Sequence, residues 1–141
     1  MGTMVKELMD ECPVTITQDI TIKGAVQLLV KHKYRLLPVV NEMNFVVGAF
    51  SETDLMKLIK LQPLPTASSV WTNIPKDIAE RKVSELMNSH PVTISERAEM
   101  KDALNLMNVT NVKIIMVLDM DNKFVGVIRF RRIIDKMLEN L

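Results

Sequence analysis

The chain has 141 residues, 48% of them hydrophobic and 25% charged, which is typical of a folded globular protein and excludes a disordered one. Its 18 basic and 17 acidic residues leave a net charge of +1, too small for a broad field that would attract nucleic acid or an anionic membrane. The single cysteine, Cys12, excludes an intramolecular disulfide and favours a reducing compartment. Because neither a signal-peptide pattern nor a membrane-spanning apolar run occurs, we expect a cytoplasmic protein with no membrane or nucleic-acid partner.

One sequence unit occurs twice. Residues 5–60 align without a gap on residues 83–138, at a constant offset of 78 residues and with 15 identities in the 56 aligned positions. An internal repeat of this regularity sets the domain organisation. The predicted divisions are a leader at 1–4, the first repeat at 5–60, a linker at 61–82 and the second repeat at 83–141. Within the linker, Trp71 is expected to pack against the protein rather than to bind a ligand.

Each repeat is predicted to fold as β-α-β-β-α, from the spacing of its apolar residues and from its turn residues. In the first repeat the predicted elements are a short strand at 14–16, a helix at 22–31, strands at 36–40 and 46–50, and a helix at 52–60. Thr21 is the expected N-cap of the first helix. In the second repeat they are a strand at 92–94, a helix with the apolar stripe Met100, Ala103, Leu104 and Met107, strands at 114–118 and 124–128, and a helix at 130–140.

The predicted fold class is therefore α/β, or α+β by some schemes, with small mixed sheets and helices. A lone unit of about 55 residues is marginal, because too little of its surface is buried. Two repeats that pack sheet against sheet would share one core, which explains why they occur together.

No catalytic or metal-binding signature stands out in the sequence. The two histidines, His32 and His90, have no cysteine or second histidine at metal-ligand spacing. The four glycines form no phosphate-binding loop, and Cys12 has no motif histidine nearby. We therefore expect no enzyme activity, no cofactor and no metal site.

The order of these signatures resembles the cystathionine β-synthase (CBS) domain family, in which a tandem pair forms a Bateman module. The resemblance covers all but the leader and the linker. It rests on Val-x-x-Leu-Met, Pro-Val-Thr-Ile, the helix with Ala25, the run Arg35-Leu36-Leu37-Pro38-Val39-Val40 and Gly48-x-x-Ser51-x-x-Asp54. It implies a stand-alone regulatory or sensor module that binds AMP, ADP, ATP or S-adenosylmethionine in up to two clefts between the repeats. It also implies that the two repeats pack as a pseudo-twofold pair, that the protein is a homodimer, and that it acts on an unidentified effector protein.

The turn Ser51-Glu52-Thr53-Asp54 has two compatible interpretations. Ser51 at the N-cap and Asp54 three residues later approach a capping box, which satisfies free amides at a helix start. The same carboxylate at a cleft edge suits a ribose diol, and Ser51, Thr53 and free amides suit a phosphate. In the family, the acid at the Asp54 position is the ribose ligand.

The equivalent turn of the second repeat carries Arg129, Arg131 and Arg132 at the positions of Ser51, Thr53 and Asp54. Cations at a helix N-terminus are disfavoured, so we expect a phosphate, an acidic side chain across a dimer, or a partner to compensate them. A solvated basic face is the alternative interpretation. Arg132 departs from the acid of the family pattern, so usual ribose recognition is not expected in that cleft.

By the resemblance, each cleft combines the two repeats. The expected nucleotide cleft would use Ser51, Thr53 and Asp54 with Val92, Thr93, Ile94 and Lys113. The other cleft, expected to be altered, weaker or repurposed, would use Val14, Thr15, Ile16 and Arg35 with Arg129 and Arg132. The competing hypothesis is a ligand-independent, homodimeric interaction or adaptor module that uses the arginines for a partner. Nucleic-acid binding through the same arginines is disfavoured by the small net charge and the few aromatics.

Overall fold

A computed structural model gives the fold for residues 2–11, 14–60 and 74–141. Cys12, Pro13, Trp71 and most of the predicted linker lie outside the described residues. The elements are α1 (Val5–Leu8), α2 (Ile22–His32), β1 (Leu36–Val40), β2 (Val46–Ser51), α3 (Glu52–Lys60), α4 (Lys76–Ala79), a 3₁₀ turn (Val83–Glu85), β3 (Thr93–Ser95), α5 (Met100–Thr110), β4 (Ile114–Leu118), β5 (Phe124–Arg129) and α6 (Phe130–Leu138). The predicted class, helices with small sheets, is confirmed. No helix in the described part of the chain is both long and apolar enough to span a membrane.

The two sheets differ at the first predicted strand of each repeat. β3 runs parallel to β4 and β4 antiparallel to β5, whereas β1 and β2 form a two-stranded sheet. In place of the strand predicted at 14–16 there is one parallel bridge, in which the Ile16 N–H donates to Pro38 O at 2.9 Å. The next ladder bond toward the N-terminus needs an N–H on Pro38, which proline lacks. The second repeat has Met116 at that position, and its strand forms, with Thr93 paired to Met116.

The backbone conformation repeats with the sequence. The Thr21 cap is confirmed, since the Gly24 N–H donates to Thr21 Oγ1 at 3.1 Å. Helices α2 and α5 both end on a residue in the left-handed region, Lys33 (φ 56°) and Asn111 (φ 57°). The turns between the paired strands contain two further left-handed residues at the same offset, Asn44 and Asn122. Asparagine tolerates this conformation better than most residues, which suits the turn positions.

The chain divides into two compact units that do not coincide with the sequence repeats. One unit contains residues 1–14, 42–46 and 91–141, and the other contains residues 15–41 and 47–90. We call residues 3–10 and 81–88 the lead-in segments, because each precedes the first strand position of its repeat. Each lead-in segment belongs to the unit that holds the body of the other repeat.

The exchange of lead-in segments is supported by matching hydrogen bonds in the two units. The Val5 N–H donates to Ala98 O at 2.8 Å, and the Val83 N–H donates to Ile20 O at 2.8 Å. Both valines are completely buried. Burying an aliphatic side chain of this size stabilises a unit by about 1.5–3 kcal/mol, so each repeat contributes to the other's core.

The core of each unit is built from equivalent positions. Nine pairs of residues related by the repeat are buried in both units: Val5 and Val83, Ala25 and Ala103, Leu29 and Met107, Leu37 and Ile115, Pro38 and Met116, Val39 and Val117, Gly48 and Gly126, Ala49 and Val127, and Phe50 and Ile128. Helix α4 adds Ile78, 1% exposed, in a stretch that the sequence analysis assigned to the linker. The apolar stripe predicted for the second repeat is confirmed at its two most buried members, Ala103 and Met107.

Candidate functional site

Each candidate turn follows a strand in which a glycine admits a neighbouring backbone. We call residues 51–54 the Asp54 turn and residues 129–132 the arginine turn. A Cβ atom on Gly48 would lie 2.9 Å from Asn88 O, and one on Gly126 would lie 2.5 Å from Asp10 O. Backbone atoms cannot yield to such contacts, so glycine is required at both positions.

The approaching backbone is that of the lead-in segments, paired with each strand two residues before its turn. Asp10 and Val127 exchange N–H to O hydrogen bonds of 2.8 and 2.9 Å. Asn88 and Ala49 exchange two bonds of 2.9 Å in the same arrangement. Asp10 and Asn88 therefore occupy equivalent places, one in each unit. The side chain at this place is a carboxylate in the unit with the arginine turn, and a neutral amide in the unit with the Asp54 turn.

Side-chain hydrogen bonds close the Asp54 turn as a capping box. The Ser51 N–H and Ser51 Oγ–H both donate to Asp54 Oδ2, at 2.9 and 3.0 Å, and the Asp54 N–H donates to Ser51 Oγ at 3.2 Å. Asp54 is half-buried and Thr53 is exposed. Within residues 2–11, 14–57 and 74–141, no hydrogen bond or ion pair reaches the other carboxylate oxygen, Oδ1. Capping thus uses one oxygen of Asp54 and leaves the acceptor capacity of the second.

The backbone carbonyl of a basic residue accepts a hydrogen bond from the second residue of each turn. The Glu52 N–H donates to Arg35 O at 3.0 Å, and the equivalent Phe130 N–H donates to Lys113 O at 2.8 Å. The side chains of Arg35 and Lys113 are exposed. Arg35 is thereby brought to the Asp54 turn, and Lys113 to the arginine turn. The expected combination of Lys113 with Asp54 joins residues of different units and stays a prediction.

At the arginine turn, one guanidinium has a partner that the sequence analysis missed. Arg129 Nη1 donates to Asp10 Oδ2 at 2.9 Å, with the two side chains 42% and 47% exposed. A compensating anion was expected from a ligand, a dimer or a partner, whereas the chain supplies it from 119 residues earlier. Arg131 and Arg132 are exposed and form no ion pair with other residues of the described chain. The sequence did contain a signal for this partner: the first repeat has an acid, Asp10, at the position where the second repeat has Asn88.

The strand residues expected to contact a ligand are half-buried, with one exception. Val92, Thr93 and Ile94 are half-buried, and Val92 and Ile94 pack against the core of their unit. Val14 and Thr15 are half-buried as well, but Ile16 is only 4% exposed. The side chain of Ile16 therefore belongs to the core of its own unit.

Comparison with known proteins gives a family match over both repeats. The family model described as CBS domain matches residues 5–61 and 83–139. A CBS domain-containing protein of Dictyostelium discoideum is 30% identical over 145 residues, which cover 100% of this chain and 95% of that protein. The chain spans only 52% and 51% of the length of two longer relatives from Arabidopsis thaliana.

Solved structures with the same fold cover almost the whole chain. The structure of CBSX2, a CBS-pair protein of Arabidopsis thaliana, in complex with AMP has a TM-score of 0.78 at 24% identity and covers 99% of this chain and 98% of its own. A CBS domain pair in complex with 5′-methylthioadenosine and S-adenosyl-L-methionine has a TM-score of 0.79 at 21% identity and covers 100% of both chains. At these identities the likeness establishes the fold.

Proposed function

The chain belongs to the CBS domain family as a tandem pair of its domains, and we propose that it is a regulatory module that binds an adenine nucleotide or S-adenosylmethionine. The adenine nucleotides proposed as ligands are AMP, ADP and ATP. Family members crystallised with AMP or with S-adenosyl-L-methionine support this ligand class. The observation that carries the proposal is the half-buried Asp54 carboxylate, of which the cap engages only Oδ2.

The free oxygen of Asp54 suits the two hydroxyl donors of a ribose. A carboxylate oxygen has two lone pairs, and an ionised acceptor forms stronger hydrogen bonds than a neutral one. Oδ2 already accepts from the Ser51 N–H and Oγ–H, so the diol is assigned to Oδ1. The cap also holds the side chain in place before the ligand arrives, which reduces the entropy lost on binding.

Phosphate recognition is assigned to the donors that the helix start leaves available. The Glu52 and Asp54 amides already donate to Arg35 O and Ser51 Oγ. The Thr53 amide and hydroxyl and the Arg35 guanidinium have no hydrogen bond within the described part of the chain. The Thr53 amide and hydroxyl lie in the first turn of α3, which favours an anion, and the Arg35 backbone bonds to Glu52 in the same turn.

The remaining predicted contacts are retained as part of the proposal. Val92, Thr93 and Ile94 are the strand residues expected beside the adenine, and Lys113 is the basic residue expected to contact the phosphate in this cleft. The second cleft, expected to use Val14, Thr15, Ile16 and Arg35 with Arg129 and Arg132, is proposed to be the weaker one. Of these residues, Arg35 is reassigned to the Asp54 turn, because its carbonyl accepts the Glu52 N–H. We propose a regulatory rather than an enzymatic role because of the family. We propose a cytoplasmic location from the sequence alone.

Calorimetric titration of AMP, ADP, ATP and S-adenosylmethionine tests the proposal. Asp54→Asn keeps one side-chain acceptor but removes the charge, and we expect at least about tenfold weaker binding, or about 1.4 kcal/mol. Asp102→Asn is the matched control, because Asp102 Oδ2 accepts the Glu99 N–H at 3.0 Å in the same capping role on α5. The control should bind like the wild type. A wild type that binds none of the four ligands, or an Asp54→Asn protein with unchanged affinity, contradicts the proposal.

A second candidate function is a homodimeric adaptor that acts without a nucleotide. Helix α6 exposes an apolar stripe, with Ile134 39%, Met137 46% and Leu138 58% exposed, and its first turn carries the exposed Arg131 and Arg132. Exposed apolar stripes on a helix favour protein contacts. We propose that a second copy of the chain covers this stripe and that an effector protein with acidic groups contacts the arginines.

A further inference from the structure

We propose that Asp10 withholds the arginine turn from phosphate-bearing ligands by acting as its built-in counter-ion. The inference deepens the proposed nucleotide-binding function and rests on it for its biological meaning. Its physical basis is the 2.9 Å contact in which Arg129 Nη1 donates to Asp10 Oδ2. A phosphate oxygen that approaches this guanidinium competes with the carboxylate for its N–H donors and is repelled by the carboxylate charge.

The backbone holds Asp10 at this place whatever its side chain does. The Asp10 N–H donates to Val127 O, and the Asp10 carbonyl accepts the Val127 N–H. Gly126 has no Cβ, which lets the two backbones approach. An anion therefore competes with one side chain and leaves the lead-in segment where it is. Since Asp10 and Arg129 are each nearly half exposed, their ion pair is weak enough to be exchanged for a stronger anion.

The first repeat shows what the same backbone does without the charge. Asn88 holds the place of Asp10 beside the Asp54 turn, and its Oδ1 accepts the His90 N–H at 3.0 Å. No carboxylate from the lead-in segment reaches that turn. Asp10 in place of Asn88 therefore offsets the positive charge that Arg129 adds in place of Ser51, while Arg131 and Arg132 form no ion pair with other residues of the described chain.

The test uses inorganic pyrophosphate as the probe, titrated calorimetrically at low salt into the full chain. Asp10→Asn copies the residue that already fills the equivalent position, so the backbone pairing with Val127 is retained. We expect about two- to fivefold tighter pyrophosphate binding, the change that matches the loss of one exposed ion pair. The gain should disappear when Arg129→Gln is added.

Asp19→Asn is the matched control, because Asp19 is also an exposed acid in an ion pair, with Lys82 at 3.5 Å, and its removal changes the net charge equally. It should leave pyrophosphate binding unchanged. Three outcomes overturn the inference: unchanged affinity in Asp10→Asn, a gain that survives Arg129→Gln, or an equal gain in Asp19→Asn. Since pyrophosphate has no ribose, failure of nucleotide binding in the wild type would refute the proposed function without affecting this result.

Discussion

Asp10 and Asn88 pair with the strand two residues before each candidate turn, through the same two backbone hydrogen bonds, and only Asp10 carries a charge. Asp10 bonds to Val127 and its carboxylate reaches Arg129, whereas Asn88 bonds to Ala49 and turns its side chain to the His90 amide. The two units thus share a backbone and differ in the charges that the backbone presents. Each difference can be tested by exchanging residues between equivalent positions.

Introducing a carboxylate at the Asp54 turn should weaken nucleotide binding there. Asn88→Asp copies the acid of the other unit, and no arginine stands at Ser51 to neutralise it. We expect about two- to fivefold weaker AMP binding at low salt, and a smaller effect at high salt because exposed charges are screened. Calorimetry at two salt concentrations measures both. An effect that does not depend on salt would show that the substitution acts through structure and not through charge.

Replacement of Gly126 should destabilise the protein through a backbone clash. An alanine Cβ would lie 2.5 Å from Asp10 O, and backbone shifts of this kind cost typically about 1–3 kcal/mol. Urea denaturation of Gly126→Ala measures the loss. Gly24→Ala is the control, because that Cβ meets side-chain atoms and no backbone: Ile20 Cγ1 at 3.0 Å, Ile20 Cδ1 at 3.2 Å and Thr21 Oγ1 at 3.4 Å, in a helix that alanine favours. Equal stability changes in the two variants would argue against the close approach at Gly126.

Removal of the N-cap of α2 should cost stability without affecting either turn. Thr21→Ala deletes the oxygen that accepts the Gly24 N–H, and we expect a loss of about 1 kcal/mol in the free energy of unfolding. Thr17→Ala is the matched control, since Thr17 is exposed and, among the residues that the structure describes, bonds through its backbone carbonyl alone, which accepts the Ile20 N–H at 3.4 Å. Chemical denaturation compares the two. A control as unstable as Thr21→Ala would contradict the capping role.

A charge in the exposed stripe of α6 should dissociate the proposed homodimer. Met137→Glu buries a carboxylate in the contact, and we expect at least about a tenfold rise in the dimer dissociation constant, or about 1.4 kcal/mol. Val109→Glu is the control, since Val109 is an exposed apolar residue, 75%, on a different helix, α5. Sedimentation equilibrium measures both. A wild type that is monomeric at all concentrations, or a Val109→Glu variant that dissociates equally, would refute the stripe as the contact.

The elements that were predictable from the sequence are those whose bonds are local. The cap at Thr21 spans three residues, and so does the box formed by Ser51 and Asp54. The strand at 14–16 was wrongly predicted. Pro38 is evident in the sequence, but its missing N–H prevents a ladder bond only because residues 14–16 lie opposite it, and that pairing is not evident from the sequence. The short helix α4 was missed because its one buried residue, Ile78, gives no periodic pattern.

By itself, the sequence determined that this chain is a tandem repeat in which each copy has a helix, two strands and a second helix, with two unlike turns, because apolar spacing, caps and turn residues act over a few neighbours. Only the tertiary structure decided that the lead-in segments are exchanged between the repeats. That exchange brings the Asp10 carboxylate to Arg129, and β-strand pairing brings the Arg35 backbone to the Asp54 turn. Contacts between residues as far apart as 119 positions depend on the path of the whole chain, which no local pattern contains.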